Sequence, residues 1–224
     1  MTLSIVARCP RTKQFGIAIM SSSPAVAARC AHVRAGVGAV ATQNVTDPAL
    51  GPSGLDLMGG GASATQALTA LCAGNEHIEY RQLCLIDQQG RVASFSGARA
   101  LGIHARAEGD GVAAAGNMLA NELVPSAMVS AFEHSRSSPL AERLLEALEA
   151  GIAAGGEMGP IFSAGMLVVD TVSWPVTDLR VDWDEQPLVA LRRLWTLWAP
   201  QADVYVQRAL NPVAAPSFGV MGDP

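Results

Sequence analysis

Strict alternation of side chains marks the start of the chain. From Thr2 to Arg8 the residues read Thr-Leu-Ser-Ile-Val-Ala-Arg. A period of two places Thr2, Ser4 and Val6 on one face of a strand and Leu3, Ile5 and Ala7 on the other. Pro10 to Gln14 reads as a hairpin connection. Phe15 to Ser21 follows as a second strand, apolar at both parities and so expected to be covered on both faces. Ser22, Ser23 and Pro24 stop it. Val33 to Thr42 is a third β-rich stretch, interrupted near Gly36-Val37-Gly38, and Gln43 to Gly54, with Pro48 and Pro52, reads as loop. Tyr80 to Ile86 and Arg91 to Phe95 look like paired strands around a turn at Gln88-Gln89-Gly90, and Gly111 to Ala115 is a further strand. Phe162 to Val169 and Val176 to Val181 read as a closing pair.

The helical signals are of a different kind. Ser63-Ala64-Thr65-Gln66 fits a capping box, opening a helix to about Ala73 that Gly74-Asn75 ends. Pro125 to His134 is a second helix. Pro139 to about Ala154 is the strongest, with Ser138 as cap, Pro139 at the first position and Leu140, Leu144, Leu148 and Ile152 recurring every fourth residue. Pro187 to Trp198 closes the series as an amphipathic helix. Strands, helices, strands and a helix follow one another without regular β-α-β alternation, which predicts an α+β protein with largely antiparallel sheets. Residues 1–198 are expected to form one domain, and 199–224, carrying Pro200, Pro212, Pro216 and Pro224, an extended tail.

Composition narrows the functional classes. Half of the 224 residues are hydrophobic and 16% are charged, enough for a large core. The net charge of −5, with no basic cluster interleaved with aromatics, argues against nucleic acid as a partner. No basic segment leads into an apolar run at the N-terminus, and no apolar run approaches the ~20 residues of a membrane span. A cytoplasmic protein without membrane contact is the expectation. Cys9, Cys30, Cys72 and Cys84 form no C-x-x-C pair and stand at no zinc spacing with His32, His77, His104 or His134, so neither metal nor cofactor is expected.

Several motifs fail on context. Gly36-Val37-Gly38-Ala39-Val40-Ala41 matches a dinucleotide fingerprint with Asp56 beyond it, but no helix pattern follows. Gly51-Pro52-Ser53-Gly54 has its second glycine one place early for a nucleophile elbow. Gly59-Gly60-Gly61 lacks the lysine of a phosphate loop, and His77-Ile78-Glu79 lacks the later cysteines of a deaminase.

Thr2 offers chemistry of its own. Once Met1 is removed, Thr2 becomes the N-terminus, and its α-amine, of reference pKa about 7.7–8.0, can act as base for its own hydroxyl. Polar clusters at strand ends supply partners: Ser21, Ser22 and Ser23 after the second strand; Thr42, Gln43 and Asn44 after the third; Asn117 after Gly111–Ala115. Asn117 is a candidate oxyanion donor, since an amide donates without titrating. Ser4 shares the Thr2 face, and Arg8 and Asp47 are the charged candidates for orienting a small-molecule substrate. An internal serine hydrolase built on Ser21, Ser22 or Ser23 with His32 as base has no recognised spacing and ranks last.

These blocks also carry a resemblance. Ser4–Arg8, Gly16–Ile19, Arg34–Gln43, Gly51-Pro52 with Gly54-Leu55, Ala93–Gly97, Ala115–Asn117, Pro139–Leu145 and Val181-Asp182, in that order, resemble the family called domain of unknown function 1028 as far as about Trp198. That family is grouped with the N-terminal-nucleophile (Ntn) hydrolases. The resemblance implies a four-layer α-β-β-α sandwich of two antiparallel sheets. It also implies that Thr2 attacks a C–N bond, amide or ureido, with Asn117 at the oxyanion and residues after the second and third strands lining the site. The alternative is a non-catalytic small-molecule-binding or assembly protein on the same fold. A homodimer or higher homo-oligomer is expected in either case.

Overall fold

The computed structural model describes residues 1–220. Its first strand, β1 (Thr2–Arg8), forms a hairpin with β2 (Phe15–Ser21), pairing Thr2 with Ser21 and Arg8 with Phe15. A short helix α1 (Val26–Cys30) leads to β3 (Ala31–Arg34), which turns through Gly36 (φ 71°) into β4 (Gly38–Asn44). Helices α2 (Leu50–Gly59) and α3 (Ala64–Gly74) precede the hairpin of β5 (Arg81–Asp87) and β6 (Val92–Ser96). Next come β7 (Ala105–Gly109), β8 (Val112–Asn117), α4 (Val124–His134) and α5 (Leu140–Ala153). The hairpin β9 (Ser163–Val169) and β10 (Pro175–Val181), then α6 (Pro187–Trp198) and α7 (Ala202–Leu210), complete the described chain.

The strands form two antiparallel sheets, ordered β10-β9-β2-β1-β8-β7 and β3-β4-β5-β6. Period two sorts their side chains among three buried clusters. Val6, Ile17 and Ile19 of the first sheet meet Ala39, Ala41, Cys84 and Ile86 of the second. On the other face of the first sheet, Leu3, Ile5, Ala18 and Met20 pack with Phe132 of α4, Leu144 and Leu148 of α5 and Leu191 of α6. On the other face of the second sheet, Val40, Leu83 and Leu85 pack with Leu55 and Met58 of α2 and Leu71 of α3. Coverage on both faces is why β2 shows no polar parity.

The capping box forms as expected: Ser63 Oγ accepts from Gln66 N at 3.2 Å and Gln66 Oε1 accepts from Ser63 N at 2.8 Å. Asp87 Oδ2 accepts from Ala64 N at 3.0 Å, a second anchor for the same turn. Ser63→Ala is expected to cost about 1 kcal/mol in urea unfolding, with an unchanged m-value.

Three expectations are corrected, and one strand was not foreseen. Gln43 to Gly54 is not loop throughout, because α2 begins at Leu50; Pro52 falls in the first turn, where its missing N–H has no intrahelical partner to lose. Gly51 is required there by crowding, since a Cβ would lie 2.1 Å from His32 Cδ2. Pro139 takes the N-cap position of α5 in place of Ser138, with no side-chain cap. The polar strand β7 at the sheet edge carried no apolar run to reveal it. The tail expected to be extended over 199–224 instead forms α7, whose Tyr205 packs on Trp198 with ring centroids 5.0 Å apart, while Pro200 and Pro212 flank the helix rather than interrupt it. The final residues of that expectation, 221–224, lie outside the described residues. No helix among the described residues is long and apolar enough to cross a membrane.

Candidate functional site

Thr2 lies mid-sheet, between Ser21 of β2 and Asn117 of β8. All three are buried on the face turned toward the second sheet, by the parity that places Val6, Ile19 and Ala115 there. Thr2 Oγ1 donates to the carbonyl oxygen of Met1 at 2.7 Å, and Ser21 Oγ donates to the same oxygen. The two hydroxyl oxygens are 3.2 Å apart. Ser21 Oγ also accepts from the backbone N–H of Ser23 at 3.2 Å and lies 3.0 Å from Ser23 Oγ. Ser23 Oγ in turn accepts from Arg29 Nη2 at 2.9 Å. A guanidinium therefore polarises the serine pair from behind, which strengthens the hydroxyl donor at the front. Arg29 escaped sequence reasoning because α1 is a single short turn with no periodic signal.

An amide network joins this point to the second sheet. Gln82 Oε1 accepts from Gln43 Nε2 at 2.7 Å and from Asn117 Nδ2 at 3.2 Å. Gln82 Nε2 donates to the Gly116 carbonyl and to Ser96 Oγ, both at 2.9 Å, and Gln43 Nε2 also reaches the Ala115 carbonyl at 3.2 Å. The Asn117 amide is thus held by one N–H and has a second to offer. Gln82 was not anticipated; a glutamine immediately before the apolar run Leu83–Ile86 was its available signal.

Not every candidate converges. Ser4 is fully buried two residues along β1, and its hydroxyl has no hydrogen-bond partner. Ser22 lies just past β2 with its backbone amide near Glu157. Gln43 joins the site, but Thr42 and Asn44 have the opposite parity on β4, shared with Val40 and the α2–α3 side. Thr42 Oγ1 donates to the Asp47 carbonyl at 3.2 Å. Asn44, at φ 75°, accepts from Leu101 N at 3.2 Å and donates to the Tyr80 carbonyl at 2.6 Å. Asp47 accepts from Ala49 N at 3.1 Å and Asn75 Nδ2 at 3.0 Å, so it organises the start of α2. Arg8 is at the far end of β1, about 20 Å from Thr2 at the rise of a strand, where it stacks over Phe15 at 5.7 Å. Sequence proximity to Thr2 misled for Arg8 because a strand carries its two ends apart.

Glu157, which sequence reasoning missed, lies beside these residues. It bridges to Leu119, just beyond Asn117, and is 8% exposed. Both carboxylate oxygens are buried without a hydrogen-bond partner. Burial pushes the carboxyl up to about 8, against the opposing pull of the Met1 α-amine and the Ser22 backbone amide. Two residues on, a Cβ built on Gly159 would lie 2.7 Å from Met1 Cε, so the Met1 side chain rests directly on that glycine. Concavities of about 630 and 420 Å³ run along α6, and neither is lined by Thr2. Among the described residues, no group of three or more His, Cys, Asp or Glu is placed to hold a metal ion.

A family model described as a family of unknown function, DUF1028, matches residues 2–191. The crystal structure of protein SPO2555 from Silicibacter pomeroyi, which carries the same family model, is 29% identical with a TM-score of 0.82, covering 90% of this chain and 93% of that one. Anbu (ancestral beta-subunit) from Yersinia bercovieri is 14% identical with a TM-score of 0.39, covering 92% of this chain and 97% of that one. No curated protein matches this sequence.

Proposed function

Because the chain belongs to the DUF1028 family of unknown function, its chemistry has to be argued from its own site, and we propose that it is an Ntn-type hydrolase cleaving the amide or ureido C–N bond of a small molecule. One observation carries this reading: the hydroxyls of Thr2 and Ser21 both donate to the carbonyl oxygen that precedes Thr2, in the middle of the sheet and beside Asn117. The two sheets with helical cover on their outer faces fit the four-layer α-β-β-α sandwich of that superfamily.

In the proposed cycle the bond before Thr2 has been cleaved, freeing its α-amine. Thr2 Oγ1 attacks the substrate carbonyl carbon while its proton passes to that amine. The oxyanion is held by Ser21 Oγ and the uncommitted N–H of Asn117; each such donor is typically worth ~10²–10³ in rate. The Thr2 ammonium then protonates the leaving nitrogen as the C–N bond breaks, leaving an ester on Thr2. Water attacks the ester, the free α-amine takes its proton, and the carboxylic acid departs with Thr2 restored. Where the substrate is a ureide, the acid released is a carbamic acid.

The test compares two forms of the protein, one beginning at Thr2 and one retaining Met1, distinguished by intact mass. Against a panel of small amides and ureides, release of amine or ammonia is expected from the first form alone. Equal turnover by both forms would remove Thr2 from the chemistry.

A further inference from the structure

The outer side of α6 carries a pattern that the fold does not use. Glu185, just ahead of the helix, is followed at intervals of four by Val189, Arg193 and Leu197. All four line one concavity of about 630 Å³. Glu185 and Val189 also border the second, of about 420 Å³, so Val189 stands as a ridge between two grooves. Leu191 is buried on the inner side of the helix, whereas Val189 and Leu197 are 64% and 58% exposed. Glu185 and Arg193 are exposed too, and among the described residues neither forms an ion pair or hydrogen bond. Their neighbour Arg192, by contrast, is held by Glu142 and Glu149.

This row is complementary to itself. Val189 has a carboxylate four residues before it and a guanidinium four residues after it, each about 6 Å away along a helix axis. Under a twofold axis through Val189, Arg193 of a second copy arrives at Glu185, and its Glu185 arrives at Arg193. Both ion pairs close at once because the two intervals are equal. Moving the axis one turn along, to Arg193, would set guanidinium against guanidinium, so charge selects the register. Shape agrees with charge: the Val189 ridge of one copy fits the groove beside the other copy's ridge, as in helix pairs that cross at about 50°.

We propose that the chain forms a twofold homodimer through α6, with Val189 at the axis and Glu185 of each copy paired with Arg193 of the other. The dimer is independent of the hydrolase reading, since Thr2 lines neither concavity.

Sedimentation equilibrium of the full chain measures the dimer Kd, with far-UV circular dichroism checking the fold of each variant. Glu185→Arg and Arg193→Glu each create two like-charged pairs across the axis, and each is expected to raise Kd at least about tenfold. The two substitutions combined exchange the signs and are expected to return Kd to within about threefold of the parent. An equimolar mixture of the two single variants is expected to form heterodimers, because each supplies the sign that the other lacks. Val189→Glu sets two carboxylates together at the axis and is expected to abolish the dimer; it keeps the test decisive if either reversal fails to fold. A parent that stays monomeric at about 0.1 mM, a Kd unmoved by these single substitutions, or a combined variant as weak as the single reversals would each overturn the inference.

Discussion

Thr2→Ala, in protein that begins at position 2, is expected to lower kcat by about 10⁴-fold or more, on the scale seen when a covalent nucleophile is removed. The fold is expected to survive. The backbone of residue 2 pairs with Ser21 and Asn117 through main-chain geometry that alanine preserves. The lost groups are a hydroxyl and a methyl at the end of a strand, which costs on the order of 1 kcal/mol. Thr2→Ser keeps the hydroxyl and is expected to retain measurable turnover on the same substrate. Blocking the Thr2 amine by acetylation leaves the hydroxyl without its base and is expected to mimic Thr2→Ala. Activity unchanged in Thr2→Ala, with far-UV circular dichroism matching the parent, would end the nucleophile assignment.

The second large effect is a pH dependence of stability that Glu157 imposes on protein retaining Met1. Burial places its carboxyl at about 8 in the folded chain, against about 4.3 for an unperturbed glutamate. Between those values the folded state binds a proton that the unfolded state has released. Stability from this group is therefore complete below about pH 4.3, declines as pH rises through the window, and levels off above the folded value near 8. The decline is on the order of a few kcal/mol. Glu157→Gln cannot titrate, so urea unfolding at pH 4.5 and pH 9 is expected to show a difference in ΔG smaller by that amount than in the parent. An identical pH slope in both proteins would show that the carboxyl is solvated.

Several features were legible because their causes are local. The alternation of Thr2–Arg8 reflects one face packed toward the second sheet and the other toward α4 and α5, and periodicity alone exposed it. The capping box at Ser63 is a four-residue device that forms wherever a helix can continue, as it does here. Helix α2 was hidden by Gly51, Pro52 and Gly54, which read as loop. Gly54 is there for space: a Cβ would lie 3.2 Å from Val40 Cγ2, so the missing side chain lets the helix approach the sheet. The pattern that signals a turn and the pattern that permits close packing use the same residue.

The site divides along the same line. Thr2, Ser21 and Asn117 were each visible as polar ends of apolar strands. Arg29 was not, since nothing near it in the chain marks it; Gln82 was marked only by its place at the head of an apolar run, and Glu157 sits among Gly155, Gly156 and Gly159 in what reads as connection. By itself the sequence determined which residues share a face, where strands stop and which hydroxyls end up at a strand terminus. These follow from the two-residue repeat and from turn chemistry, which act over a few positions. Only the tertiary structure decided that β8 lies beside β1 in the register pairing Thr2 with Asn117, and that Glu157 comes to rest unpaired near the first residue. Both are contacts between segments more than a hundred residues apart, chosen by the fit of whole buried faces and by the net balance of desolvation against charge, quantities that no local stretch of the chain contains.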